Sequence, residues 1–210
     1  MGDPNKKWGM AIDLDRCIGC WTCSIACKEQ NNVPMGLTWN RILTEGGPHY
    51  DLPAGTYPNV DITYIPVACQ HCEDAPCVKV CPVEATYKRD DGIVMVDYDR
   101  CIGCRYCMAA CPYGVRVFNW DDPQQLPNLR LGDSRVPERR RGVVEKCTLC
   151  AQRIDDGENP FCVDVCPTRA RVFGDLNDPE SDVAQLIHER GGQQLLADKG
   201  THPQVFYLPK

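Results

Sequence analysis

An α+β fold of two nested modules is predicted by three observations. Sixteen Cys fall in four sets, a segment repeats with an offset of 84 residues, and a strand–turn–strand pattern joins the second set to the third. The chain has 210 residues, enough for one or two domains. Its apolar share is 43%, or about 35% without Cys, which is low for a fully packed aliphatic core. Something besides aliphatic burial must hold the fold. The net charge of −6 disfavours a general nucleic-acid binder. The longest strongly apolar stretch, 93–96, is strand-sized, far short of the roughly 18 residues that cross a bilayer. Residues 1–8 lack the apolar segment of a signal peptide, so a soluble chain without its own export address is expected.

The first set is Cys17, Cys20, Cys23 and Cys27, and the third is Cys101, Cys104, Cys107 and Cys111. Both read C-x2-C-x2-C-x3-C, the bacterial-ferredoxin spacing for cubane iron–sulfur clusters. Three Cys so spaced let a tight loop wrap one corner of a cube, with Gly19 and Gly103 where backbone must come close. The fourth Cys lies about one helical turn on, turned towards a second cube. The second set (Cys69, Cys72, Cys77, Cys81) widens one gap to four residues, and the fourth (Cys147, Cys150, Cys162, Cys166) widens it to eleven. Pro82, Pro112 and Pro167 follow the last Cys of three sets and oppose further helix, whereas Lys28 stands there in the first. Disulfides would need an oxidising compartment and do not explain the regular x2 spacing. Zinc sites combine two separated pairs, whereas two sets here hold three Cys in seven residues. Redox-active thiols explain the pattern less well still.

Residues 13–20, D-L-D-R-C-I-G-C, match residues 97–104, D-Y-D-R-C-I-G-C, as a duplicated unit would. Duplication alone would pair the first set with the second and the third with the fourth. Loop lengths favour another arrangement. The 19 residues between Cys81 and Cys101 read as strand, Asp91-Gly92 turn and strand, the connection of a two-cluster ferredoxin. The second and third sets then form an inner ferredoxin-like module at 60–120. The first and fourth close a discontinuous outer module, 1–30 plus 143–177. Residues 31–59 and 121–142 are expected as long linker loops and 178–210 as a C-terminal helix and tail. Gly46-Gly47-Pro48, Pro53 and Pro58 suit a loop, while 61–65 alternates like a strand. Asp178 is the expected helix cap, Pro179 the first turn, and Val183, Leu186 and Ile187 an apolar stripe for internal packing.

An oxidised cube with four thiolates carries about −2, so four clusters add roughly eight negative charges. Lys28, Arg16, Arg100, Arg105 and Lys146 are expected to offset them. The run Arg139-Arg140-Arg141 reads as a solvated loop in preference to a dock for an acidic partner. His71 either donates to a cluster sulfur or is an ordinary histidine. Trp21, Tyr106 and Tyr113 are expected to shield the cubes from water.

From residues 10–13 to 205–208, including F-G-D-L-N-D-P at 173–179 followed by Val183-Ala184, the sequence resembles a known family. These are the four-cluster iron–sulfur subunits of membrane-bound molybdoenzyme complexes, such as polysulfide, dimethyl sulfoxide, tetrathionate and respiratory arsenate reductases. The resemblance implies four [4Fe–4S] clusters in a nested pairing. One takes Cys17, Cys20, Cys23 and Cys166; another Cys27, Cys147, Cys150 and Cys162. A third takes Cys69, Cys72, Cys77 and Cys111; the fourth Cys81, Cys101, Cys104 and Cys107. It also implies a non-catalytic electron-transfer subunit of anaerobic respiration. Its partners would be a molybdenum or tungsten pterin catalytic subunit and an integral membrane quinone-reactive subunit. It would sit peripherally on the membrane, on the periplasmic face by co-export with the catalytic subunit, the cytoplasmic face being the alternative. No nucleic acid and no small-molecule substrate of its own are expected, because no dinucleotide fingerprint, Walker motif or nucleophile–base pair is visible. The rival readings are a freestanding polyferredoxin, a zinc-dependent interaction module, and an electron-transfer subunit of a hydrogenase or formate dehydrogenase.

Overall fold

The computed structural model describes residues 2–49, 51–123 and 132–210, so part of the linker expected at 121–142 lies outside the described residues. The first half of the chain forms β1 (Trp8–Asp13), α1 (Thr22–Gln30), β2 (Arg41–Glu45), β3 (Ala54–Thr56), β4 (Asn59–Asp61), β5 (Thr63–Val67), α2 (Pro76–Lys79), β6 (Thr86–Lys88) and β7 (Val94–Val96). The second half forms α3 (Tyr106–Ala109), β8 (Val117–Phe118), β9 (Val144–Glu145), α4 (Ala151–Asp155), α5 (Phe161–Asp164), β10 (Arg171–Asp175), α6 (Asp182–Glu189), β11 (Gln193–Gln194) and β12 (Val205–Leu208). The class is α+β, with short helices and small sheets.

Strands from the two ends of the chain make the main sheet, in the order β10-β1-β12-β11. β1 runs antiparallel to β10, with Met10 opposite Phe173, and parallel to β12, with Met10 opposite Val205. Residues 10–12 are continuously apolar because both faces of β1 are covered. Met10 and Ile12 pack with Ile93, Leu149, Ile154 and Tyr207, while Ala11 packs with Val183 and Leu208. The region expected as a tail is therefore structural, since β12 lies between β1 and β11.

The expected strand–turn–strand is present. β6 pairs with β7 in the register Thr86↔Val96 and Lys88↔Val94, and Gly92 takes φ +87° in the turn. The segment expected as loop at 31–59 holds β2 and β3. β2 pairs with β5 and β3 with β4. The alternation at 61–65 is split between the end of β4 and the start of β5. The C-terminal helix starts later than its sequence suggests. Asp178 Oδ1 accepts from Glu180 N in a tight turn around Pro179, and Ser181 caps α6 by accepting from Ala184 N at 3.3 Å. The apolar stripe does pack internally: Val183, Leu186 and Ile187 lie against Ala11 and Leu208.

Segments far apart in the chain are joined by hydrogen bonds and ion pairs. Trp8 N donates to Asp91 O, Glu73 N to His202 O, and Tyr207 OH to Pro66 O at 2.8 Å. Arg89 bridges Asp91 at 2.8 Å and Asp155 at 2.5 Å. Among the described residues no helix is long and apolar enough to cross a membrane.

Candidate iron–sulfur centres

Each Cys set opens on the same backbone turn. The residue two positions after the first Cys is Gly19, His71, Gly103 or Leu149, with φ +66°, +43°, +70° and +56°. This left-handed step costs a non-glycine residue about 1–2 kcal/mol. It turns successive N–H groups inward, the arrangement that cradles anions. In the first and third sets the next-but-one residue, Trp21 or Arg105, is left-handed too and starts α1 or α3. Leu149 N donates to Cys147 Sγ at 3.3 Å.

A second shared turn follows the last Cys wherever Pro follows it. Glu84, Gly114 and Arg169 take φ +53°, +59° and +53°. In two sets the turn brings backbone donors onto sulfur. Ala85 N reaches Cys81 Sγ at 3.2 Å, Thr86 N reaches it at 3.4 Å, and Ala170 N reaches Cys166 Sγ at 3.3 Å. Where Lys28 replaces the Pro, α1 continues to Gln30, whereas α2, α3 and α5 stop after four residues. Gly103 also shows how close the backbone comes, because a Cβ there would collide with the carbonyl oxygen of Gly142. Gly103→Ala is expected to lower iron bound per chain. Gly157→Ala, with a similar positive φ but open space around its Cβ, should retain it. Iron and sulfide analysis of the two purified variants checks this.

The sixteen Cys are free thiols, and Cys from different sets wall shared cavities. Cys17, Cys20, Cys23 and Cys166 wall one cavity, together with Gly19, Trp21 and Arg171. Cys27, Cys147, Cys150 and Cys162 wall a second, where Cys69 and Arg171 also appear. Cys81, Cys101, Cys104 and Cys107 wall a third. The remaining four lie close to one another: Cys72 is within electrostatic reach of Cys69 and Cys77, and Tyr113 is within reach of both Cys72 and Cys111. Cys72, Cys77 and Cys107 pack in one core cluster, and Cys69 and Cys111 in another.

The donor set fits cubanes. Four zinc ligands converge on a single point. Among the described residues no three His, Cys, Asp or Glu side chains do so; the thiols instead stand around cavities, as the corners of a cube require. Buried donors lack acceptors: His71 Nε2, Asn40 Nδ2 and Arg116 Nη2 have no partner among the described residues. His71 is buried, and its Nδ1 accepts from Val94 N at 3.1 Å, so Nε2 carries the proton. Burial holds its pKa well below the usual histidine range, which makes it a neutral donor and not an exposed histidine. Sulfide and thiolate sulfurs are the acceptors such groups suit. Burial pushes the Cys72 and Cys162 thiols up to about 12. Exposed Cys20 is instead held below its usual value, chiefly by its hydrogen bond to Thr22.

Four of the five expected charge-balancing residues are engaged elsewhere. Lys28 bonds the Pro34 and Leu37 carbonyls, Arg16 pairs with Asp13, Arg100 pairs with Glu84, and Arg105 lies over Phe118 and Trp120. Lys146 is buried and bonded to the Val94 and Cys147 carbonyls, and its charge acts on Cys77. Arg171 donates to Cys23 Sγ and Arg116 lies within electrostatic reach of Cys77 and Cys107, each five residues past a last Cys (C-P-T-R-A-R and C-P-Y-G-V-R), a repeat present in the sequence.

Arg139 departs from the solvated reading of its run. It is buried, stacks on Trp39 and Tyr98, donates to Asn31 O at 3.0 Å and pairs with Glu145 at 3.7 Å. Asn31 in turn donates towards Cys27 Sγ at 3.8 Å and Cys150 Sγ at 3.7 Å. Of the three expected shields, Tyr113 is partly buried, whereas Trp21 and Tyr106 are exposed.

A family model for the 4Fe-4S dicluster domain matches residues 60–125 and 134–176. A second dicluster model matches 100–152, and a 4Fe-4S binding domain model matches 14–35. The chain is 58% identical over 208 residues to the iron–sulfur subunit assigned to dimethyl sulfoxide reductase in Halobacterium salinarum, covering 96% of this chain and 79% of that one. It is 43% identical over 231 residues to the arsenate respiratory reductase iron–sulfur subunit of a Shewanella species, covering 96% of each. It is 37% identical over 209 residues to a tetrathionate reductase subunit of Salmonella typhimurium, covering 99% of this chain and 74% of that one. With these matches along its length and its Cys-walled cavities, the chain belongs to the family of ferredoxin-like 4Fe-4S electron-transfer subunits of reductase complexes.

Proposed function

We propose that the chain holds four [4Fe–4S] clusters in series. It would conduct electrons between a molybdenum or tungsten pterin catalytic subunit and an integral membrane, quinone-reactive subunit of an anaerobic respiratory reductase. The observation that carries this reading is the set of three cavities walled by Cys from different sets, with Cys69, Cys72, Cys77 and Cys111 packed beside them. The proposed ligand sets are Cys17, Cys20, Cys23 and Cys166; Cys27, Cys147, Cys150 and Cys162; Cys69, Cys72, Cys77 and Cys111; and Cys81, Cys101, Cys104 and Cys107. On this reading the sets lie in that order. Arg171 walls the cavities of the first two, Cys69 reaches the wall of the second, and Cys77 packs with Cys107. The modules are then nested: the inner one spans 60–120, and the outer one joins 1–30 to 143–177.

Bound clusters would supply one-electron carriers. The chain's own residues hold them apart, donate to their sulfurs and exclude water. Both ends of the series reach the surface at an exposed Cys, Cys20 at one end and Cys104 at the other. Exposed Ile18, Trp21 and Ile25 surround the first, and Ile102 and Tyr106 the second. Such apolar patches suit partner subunits. Attachment to the membrane would be peripheral, through the partner, on its outer face if the catalytic subunit is co-exported.

Anaerobic purification from the native membrane tests the reading. Expected are a complex with a pterin-bearing large subunit and a membrane subunit, and about sixteen irons and as many sulfides per copy of this chain. Reduction of its clusters by a quinol analogue is expected only in the complete complex. A freely soluble monomer that exchanges electrons with soluble enzymes would establish the polyferredoxin reading instead. An accessible cytoplasmic face in intact cells would reverse the proposed side.

A further inference from the structure

Arg171 and Arg116 are buried, each 5% exposed, and occupy matching positions after the last Cys of two sets. Arg171 Nη2 donates to Cys23 Sγ at 3.5 Å and to Asn40 Oδ1 at 3.2 Å. Its Nη1 reaches Cys162 Sγ at 3.9 Å and Met10 Sδ at 3.3 Å. None of these partners is a carboxylate. The guanidiniums of half-buried Arg89 and buried Arg139 differ, since they face Asp91, Asp155 and Glu145. Arg116 Nη1 donates to Thr86 Oγ1 at 3.2 Å, and Nη2 has no protein acceptor among the described residues. Its guanidinium lies within electrostatic reach of Cys77 and Cys107. A buried cation without a carboxylate needs some other anion nearby. For Arg171 the sulfurs within reach are Cys23 and Cys162, and for Arg116 Cys77 and Cys107, in each case sulfurs of two different fours.

We propose that Arg171 and Arg116 are electrostatic positioning residues, each set between the two clusters of one module, where one fixed charge raises the reduction potential of both. The proposal rests on the ligand grouping given above. A cluster that accepts an electron becomes more negative, so a nearby fixed cation favours its reduced form, most strongly where water is excluded. Hydrogen bonds to sulfur act in the same direction. Because the charge is shared, it moves both clusters together and leaves their difference small. It also lessens the repulsion that one reduced cluster exerts on the next. The internal repeat places one such device in each module.

The test is an EPR-monitored redox titration of the intact complex. Arg171→Gln is expected to lower two of the four potentials, each by at least a tenfold change in the reduction equilibrium, about 59 mV for one electron. Arg171→Lys should recover most of the shift, and Arg116→Gln should lower the other two potentials. Cys23→Ser and Cys162→Ser identify the pair of signals. If both alter the same signal, the grouping is wrong and the proposal falls with it. If they alter two signals and Arg171→Gln moves neither, the grouping stands and the role of Arg171 is overturned. An equal shift of all four potentials would overturn it as well. Where Arg171→Gln fails to assemble, Asn40→Asp keeps the guanidinium and sets a carboxylate against it. The same two potentials are then expected to fall, and unchanged potentials would refute the proposal.

Discussion

Stripping iron from the purified chain is expected to unfold it. Far-UV circular dichroism of the cluster-free protein should show little helix or strand signal and no cooperative melt. α2, α3 and α5 are single turns of four residues without side-chain caps, too short to persist unaided. Cys72, Cys77 and Cys107 are themselves core residues, packed with Val94 and Val144. Burial pushes Cys72 and Cys162 up to about 12, so without clusters these thiols are neutral at pH 7. Arg171 and Arg116 then lose their anions while still buried. A structural zinc site supplies roughly 10–16 kcal/mol, as much as the whole stability of an ordinary domain, about 5–15 kcal/mol. Four clusters on one small domain should weigh at least as heavily. A cooperative melt in a sample free of iron and sulfide would refute this expectation.

Arg139→Ala is expected to produce the largest loss of stability among substitutions away from Cys. The side chain lies between Trp39 and Tyr98, bonds Asn31 O and Tyr98 OH, and faces Glu145. Truncation leaves the Glu145 carboxylate buried without its cation, with Asn119 Nδ2 donating at 2.8 Å. Burial already holds Glu145 above the usual carboxylate range. Breaking one side of a buried pair costs roughly 3–5 kcal/mol. The midpoint of thermal cluster bleaching should fall by about 6–20 °C. Arg140→Ala serves as the control. Arg140 meets Asp99 at the surface, where a pair contributes about 0–1 kcal/mol, so its midpoint should hardly move. Equal shifts for the two variants would refute the difference in role.

What the sequence revealed was local. The β6–β7 turn is written in Asp91-Gly92, and the short helices α2, α3 and α5 end where Cys-Pro stands. Gly19 and Gly103 mark two of the four left-handed turns. His71 and Leu149 make the same turn without a glycine, so only the Cys spacing around them hints at it. Nearness in sequence to a Cys does not bring a cation near its sulfur in space, so the charge balance expected of Lys28, Arg16, Arg100 and Arg105 falls to Arg116 and Arg171. Finding those two needs one further comparison, the residues that follow each Cys-Pro. The sheet around β1 was not visible, because strand partners some 160 or more residues apart leave no periodic signal. Nor could the run 139–141 show which Arg is buried, since packing against Trp39 and Tyr98 distinguishes Arg139 from its neighbours.

The pairing of β1 with β10 and β12 has a consequence for biosynthesis. The first strand made at the ribosome has no neighbour until some 160 more residues have been translated, about 8–32 s at ordinary elongation rates. Through that interval Met10, Ala11 and Ile12 are uncovered and open to chaperones or proteases. Ribosome-bound intermediates arrested before residue 171 should therefore be cut readily near residues 8–13, and full-length chains supplied with iron and sulfide should resist.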